Sequence, residues 1–156
     1  MYNKIMVPLD GSKLAECVLP HVENIAKASN AEVILVSVTE RVSGYRPMTD
    51  YSRPMEERLI PEGVGKKEKQ ALKYLERIAK GLEAKGIKVR TEVFLGNPAE
   101  EIALYAEHDG ADLIIMASHG RSGISRWAYG SVADRVFRAS CIPVLMVRAP
   151  GCAPGI

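Results

Sequence analysis

The chain predicts an α/β fold of the doubly wound kind, with five parallel strands and helices on both faces of the sheet. Two observations carry this. Short apolar runs of strand length alternate with segments whose apolar residues recur at helical spacing. That alternation implies right-handed crossovers and a parallel sheet packed on both sides. The innermost runs, Ile5–Leu9, Val33–Val36 and Leu113–Met116, are continuously apolar rather than alternating. A strand buried on both faces has that composition.

The elements follow in order. Ile5 to Leu9 is the first strand, and Asp10-Gly11-Ser12 ends it as a turn. Leu14, Cys17, Val18, His21, Val22 and Ile25 then fall on one helical face, so Ser12 to Ala28 reads as a helix capped by Ser12 or Asp10. Pro20 lies inside that span and should cost one helix hydrogen bond and add a kink. Glu32 to Thr39 is the second strand. Residues 40–63 hold Pro47, Pro54 and Pro61 without periodicity and read as a long loop, with a helical turn near Met55 to Leu59. A loop of that length is usually functional or mobile.

Lys66 to Ala84 places Ala71, Leu72, Leu75, Ile78, Ala79 and Leu82 on one face, and Gly86 closes the helix. Lys88 to Leu95 alternates apolar and polar residues, which marks a half-exposed edge strand. Asn97 and Pro98 are N-cap and first residue of a helix running to His108. Asp112 to Met116 is the fourth strand, Val132 to Ser140 the last helix, and Pro143 to Val147 the fifth strand. Residues 1–148 read as a single domain and 149–156 as a tail.

A chain of 156 residues can bury a core without disulfide or metal staples. Its 21 basic and 19 acidic residues leave a net charge of +2, with no nucleic-acid or membrane-surface signature. The three cysteines, Cys17, Cys141 and Cys152, are far apart and lack metal-ligand spacing. No apolar run reaches the roughly 18 residues of a membrane span. The start of the chain enters a strand directly, so a reduced, cytoplasmic protein is expected.

The chemistry concentrates between the fourth strand and the last helix. Ala117-Ser118-His119-Gly120 is followed, after nine residues, by Gly130-Ser131. A small-residue loop ending at a helix N-terminus suits phosphate, because unpaired backbone N–H groups and the helix dipole both favour an anion. Ser131 adds a hydroxyl, or serves as a plain N-cap. Arg121 and Arg126 stand in the same loop, either as phosphate partners or as solvated cations. His119 has no serine–histidine–acid set or metal-ligand spacing around it in the sequence and reads as a residue that shapes the loop or faces solvent. Trp127 reads as an anchor for that segment.

These residues resemble the universal stress protein family in its short, single-domain form. The likeness runs from Ile5-Met6-Val7-Pro8-Leu9-Asp10-Gly11-Ser12 to Ile142-Pro143-Val144-Leu145-Met146-Val147. The family's nucleotide-binding branch carries G-x2-G-x9-G-S/T, and this chain has Ala117-x2-Gly120-x9-Gly130-Ser131. The departure is Ala117 in place of the first glycine. The resemblance implies a Rossmann-like sheet of the adenine nucleotide alpha hydrolase kind, with strand order 3-2-1-4-5.

It also implies a ligand, ATP or else ADP or AMP, with Mg²⁺ or Mn²⁺ held through the phosphates. Pro8, Leu9 and Asp10 would line the adenosine pocket, Val38 would pack against the base, and Met116 and Ala117 would flank the ribose. His119, Gly120, Arg121, Gly130, Ser131 and Val132 belong to the phosphate end. A homodimer through strand 143–147 and an unidentified protein partner follow from the same resemblance. The function it implies is an ATP-binding regulatory or signalling module of the stress response. A slow ATPase or phosphoryl or nucleotidyl transferase on the same fold is the enzymatic alternative. A dimeric interaction module without nucleotide is the third, with Ala117 the residue that points to it.

Overall fold

A computed structural model describes residues 1–39, 65–119 and 130–151. Its elements are β1 (Lys4–Pro8), a 3-10 turn (Ala15–Val18), α1 (Leu19–Ser29), β2 (Glu32–Thr39), α2 (Gly65–Glu83), β3 (Val89–Leu95), α3 (Pro98–His108), β4 (Leu113–Ala117), α4 (Ser131–Ala139) and β5 (Val144–Val147). The strands form one sheet in the order β3-β2-β1-β4-β5, and every pairing is parallel. Fold class and strand order are those expected. The expected loop at 40–63, with its helical turn, lies outside the described residues.

Strand alternation divides the core into two layers. Ile5 and Val7, Val33 and Leu35, and Leu113 and Ile115 face one side, where Val22 and Ala26 of α1 and Leu75, Ile78 and Leu82 of α2 cover them. Met6, Ile34, Val36, Ile114 and Met116 face the other, under Ile102, Tyr105 and Ala106 of α3 and Ala133 and Val136 of α4. The continuous apolar runs of β1, β2 and β4 are therefore read on both faces. β3 and β5 are the sheet's edges and are less buried.

The helix expected over Ser12 to Ala28 is corrected. The segment makes a 3-10 turn over Ala15–Val18 and only then α1, with Pro20 in α1's first turn. A proline there sacrifices no bond, since first-turn N–H groups have no intrahelical partner. The expected kink is replaced by a helix that starts later. Ser12 still serves the turn: its Oγ accepts from the Ala15 N–H at 3.2 Å. His21, placed on the apolar face by spacing, is exposed instead.

Asn97 caps α3 as expected, its Oδ1 accepting from the Ala99 and Glu100 N–H groups at 3.1 and 3.4 Å. The preceding Gly96 has φ +151°, and a Cβ added there would stand 2.7 Å from Glu101 Oε1. Glu101 is itself buried, so it has little room to retreat. Gly96→Ala is expected to lower the unfolding free energy by about 1–3 kcal/mol, through backbone strain and this clash. A urea midpoint equal to that of the parent would refute it.

Candidate functional site

In the order β3-β2-β1-β4-β5, the chain leaves β1 toward one edge and β4 toward the other. Ligands of open α/β sheets bind at such a switch point, outside the carboxyl ends of the strands. Here those ends border a cleft of about 670 Å³. That volume suits a nucleotide-sized molecule.

β1 delivers Pro8, Leu9 and Asp10 to the cleft. Pro8 pairs with Val36, and the Leu9 N–H donates to the Val36 carbonyl at 2.8 Å, so the strand is held to its last residues. Asp10 then turns the chain. Its Oδ1 accepts from the Ser12 N–H at 2.9 Å and from the Ser12 hydroxyl at 2.6 Å. Gly11, at φ +84°, takes the conformation that a side chain would resist. The carboxylate is thereby oriented before any ligand arrives. Turn residue and cleft residue are one role here, not competing ones.

β2 contributes Val38, which packs at the rim of the second core layer. β4 contributes Met116 and Ala117, both buried. Among the described residues Asn30 is the only non-glycine at positive φ. Ala117 therefore sits in ordinary backbone and needs no glycine's freedom. What its methyl adds is bulk alone, at a position already walled by strands.

Ser118 ties the site together. Its N–H donates to the Val147 carbonyl at 2.8 Å, its Oγ accepts from the Ala149 N–H at 3.2 Å, and its carbonyl accepts from the Gly130 N–H at 2.7 Å. The last bond draws the two ends of the glycine loop together. His119 Nδ1 lies 3.0 Å from Ser118 Oγ, and both residues are buried. The pair has the look of a nucleophile and base, but Ser118 is 0% exposed and its oxygen already braces the chain at Ala149, just past β5. The solvent-facing alternative for His119 is corrected: the ring is buried and holds that brace while lining the cleft. Gly120 and Arg121, with Arg126 and Trp127, lie outside the described residues.

α4 begins at the cleft. Gly130 is its N-cap, without a side-chain capping bond, and Ser131 is its first helical residue. The reading of Ser131 as the cap is corrected on this point. The Asp134 N–H is satisfied by the Gly130 carbonyl at 3.0 Å. The earlier N–H groups of the turn belong to the set that an α-helix leaves without intrahelical partners. Gly130, Ser131 and Val132 line the same cleft as Asp10. The cleft therefore offers both a carboxylate and the positive pole of a helix.

Sequence reasoning missed a third wall. Lys67, Gln70, Ala71 and Tyr74 of α2 also line the cleft. Their spacing of three, four and seven residues puts them on one helix face. The available signal was positional: α2 follows β2 through a long segment, so its first turns start near the carboxyl ends of the strands. Among the described residues no group of three or more His, Cys, Asp or Glu is arranged to hold a metal ion, and no helix is long and apolar enough to cross a membrane.

Known proteins share this architecture. The model of the universal stress protein family matches residues 1–148. Universal stress protein MJ0531 of Methanocaldococcus jannaschii is 37% identical over 150 residues, spanning 96% of this chain and 84% of that protein. Universal stress protein MJ0577 of the same organism is 33% identical over 163 residues, or 95% of this chain and 96% of that one. The solved structure of MJ0577 superposes with a TM-score of 0.78 at 36% identity, covering 97% of this chain and 99% of that chain. Two more distant structures share the fold. One is a universal stress protein in complex with cAMP, with a TM-score of 0.68 and 22% identity over 94% of this chain and 97% of that one. The other is an Arabidopsis thaliana family protein with AMP bound, with a TM-score of 0.63 and 15% identity over 96% and 93%. Matched along nearly its whole length by the family model and by relatives above 30% identity, the chain belongs to the universal stress protein family.

Proposed function

We propose that this protein binds an adenine nucleotide in the cleft and acts as a regulatory or signalling module of a stress response. The observation that carries the reading is the N-terminus of α4, without a side-chain cap, opening onto the cleft that also holds Asp10. Phosphates would lie on the first-turn N–H groups and the Ser131 hydroxyl, at Gly130, Ser131 and Val132. The nucleoside would lie toward Pro8, Leu9, Asp10 and Val38, with Met116 and Ala117 beneath the ribose. Gly120 and Arg121 complete the phosphate end in this reading. The structures with cAMP and with AMP support an adenine ligand by likeness of fold.

The site is suited to ATP, ADP or AMP. A divalent cation, Mg²⁺ or Mn²⁺, would take its ligands chiefly from phosphates and water, since the cleft offers few carboxylates. Homodimer formation through strand 143–147 belongs to the same proposal, as does a protein partner that reads the nucleotide state. Leu145, on β5 itself, is an exposed apolar residue at that edge.

Denaturing the purified protein and chromatographing what is released tests the reading. Calorimetric titration with ATP and Mg²⁺ follows. Released or titratable adenine nucleotide supports it. An empty protein that takes up none refutes it and leaves the dimeric interaction module. Turnover that disappears in Asp10→Ala would instead favour the slow ATPase or transferase.

A further inference from the structure

Among the described residues, Lys67 is the only lysine or arginine that lines the cleft, as Asp10 is the only carboxylate. A short turn joins the end of α2 to the start of β3, so α2 begins toward the carboxyl ends of the strands, where the cleft lies. Lys67 stands exposed in the first turn of α2. None of the ion pairs among the described residues uses it. Its neighbour Lys66 is also exposed but does not line the cleft.

The position is an unfavourable one for a lysine. A helix N-terminus carries partial positive charge, and a cation in the first turn is repelled by it. Residues that break such a local rule are expected at functional sites. Burial shows what the charge could serve. Leu9, Val36, Met116 and Ala117 line the cleft and are buried, whereas Lys67 and Ser131 line it and are exposed. A nucleotide sets its base and sugar among the buried apolar residues and its phosphates toward water, because an ion is far costlier to bury than a base. Lys67 and the start of α4 therefore both stand where the charged chain would emerge, α2 covering one face of the sheet and α4 the other.

We propose that Lys67 is a specificity-determining residue of this cleft, its ammonium pairing with the terminal phosphates of the ligand and favouring a nucleoside triphosphate over a monophosphate. The proposal rests on the nucleotide reading and deepens it. A lysine suits the role, because its compact charge on a flexible stem follows a phosphate chain without demanding one geometry. The start of α4 offers fixed N–H groups, and Lys67 adds a charge that counts for more as phosphates are added. α2 then becomes a recognition wall as well as a core helix.

Lys67→Gln tests this, because it removes the charge and keeps a long polar side chain. Lys66→Gln makes the same charge change one residue away, off the cleft. Adenosine, AMP and ATP are titrated calorimetrically with Mg²⁺ into the parent and both variants, at low and at high salt. The thermal midpoint of each ligand-free protein is recorded beside them. Lys67→Gln should lower the affinity for ATP roughly five-fold, lower that for AMP less and leave that for adenosine unchanged. High salt should shrink the ATP effect, since exposed charges are screened. Lys66→Gln should leave all three affinities as in the parent. The ligand-free midpoint of Lys67→Gln should be unchanged or raised, since a cation is taken from a helix N-terminus. An equal loss for all three ligands overturns the pairing with phosphate. An equal loss of ATP affinity in Lys66→Gln overturns the contact, leaving only the general charge of the turn. Unchanged ATP affinity in Lys67→Gln, beside a parent that binds, overturns the role of Lys67 alone. A parent that binds none of the three overturns the nucleotide reading and this proposal together.

Discussion

Ser131→Asp is expected to abolish tight nucleotide binding while leaving the protein as stable as before, or slightly more stable. Ser131 is the exposed first residue of α4, and the N-cap is Gly130 rather than the serine, so the fold has little to lose there. An aspartate at a helix N-terminus interacts favourably with the dipole, by about 0.3–1 kcal/mol. The same carboxylate would stand where the proposed phosphates sit. Two like charges about 4 Å apart at an effective dielectric of 20 repel by roughly 4 kcal/mol. With solvent relaxation, about 3 kcal/mol remains, a loss of roughly a hundred-fold in affinity. Adenosine carries no such charge and should bind the variant nearly as it binds the parent. Calorimetry with ATP and adenosine, beside urea unfolding of both proteins, checks each half. Retained ATP affinity would mean that phosphate does not lie at α4. A fall in stability would mean that the serine has a structural role its geometry does not reveal.

The parts of this molecule legible in the sequence are those fixed by local chemistry. β2 is found over Glu32–Thr39 and α3 over Pro98–His108, as periodicity and the Asn97 cap predict. β1, β3, β4 and β5 are displaced from expectation by a single residue at one or both ends, because strand limits depend on which neighbour offers the last hydrogen bond. Pro20 was misread because its consequence depends on where the helix begins, which sequence periodicity leaves open. His21 kept helical register with the apolar residues but not their burial, since the 3-10 turn rotates the face before α1 starts.

Ten of the expected site residues, from Pro8 to Val132, line one cleft. They cluster because all lie at strand ends or at a helix start, positions the order of elements already implies. Tyr74 was out of reach for the opposite reason. Nothing in α2's own pattern separates a phenol over a core from a phenol facing a cleft. The distinction arises only when α2 is laid against β2 and β3 beside the cleft, and topology rather than spacing decides it.

The second large effect concerns how the fold supports the site. Leu35 is fully buried in the middle of β2, paired with Val7 and Thr91, within the layer that α1 and α2 cover. Leu35→Ala removes three carbons from close-packed surroundings and should cost about 2–5 kcal/mol. Against a total of about 5–15 kcal/mol for a domain, that is a large fraction. Leu35 does not itself line the cleft, so a ligand should still recognise the folded form. Binding then restores stability by mass action, by about 2.7 kcal/mol at a hundred-fold excess over the dissociation constant. The urea midpoint of Leu35→Ala should therefore fall well below that of the parent and recover in part with ATP and Mg²⁺. In Leu35→Ala combined with Ser131→Asp the fall should remain and the recovery should vanish. Leu35 packs in the layer under α1 and α2 and α4 packs on the other face of the sheet, so the costs of the two changes to the ligand-free fold should add. Recovery in the double variant would place the ligand elsewhere than on α4. Absence of recovery in the single variant, with the parent shown to bind, would mean that the cavity under α2 deforms the cleft itself.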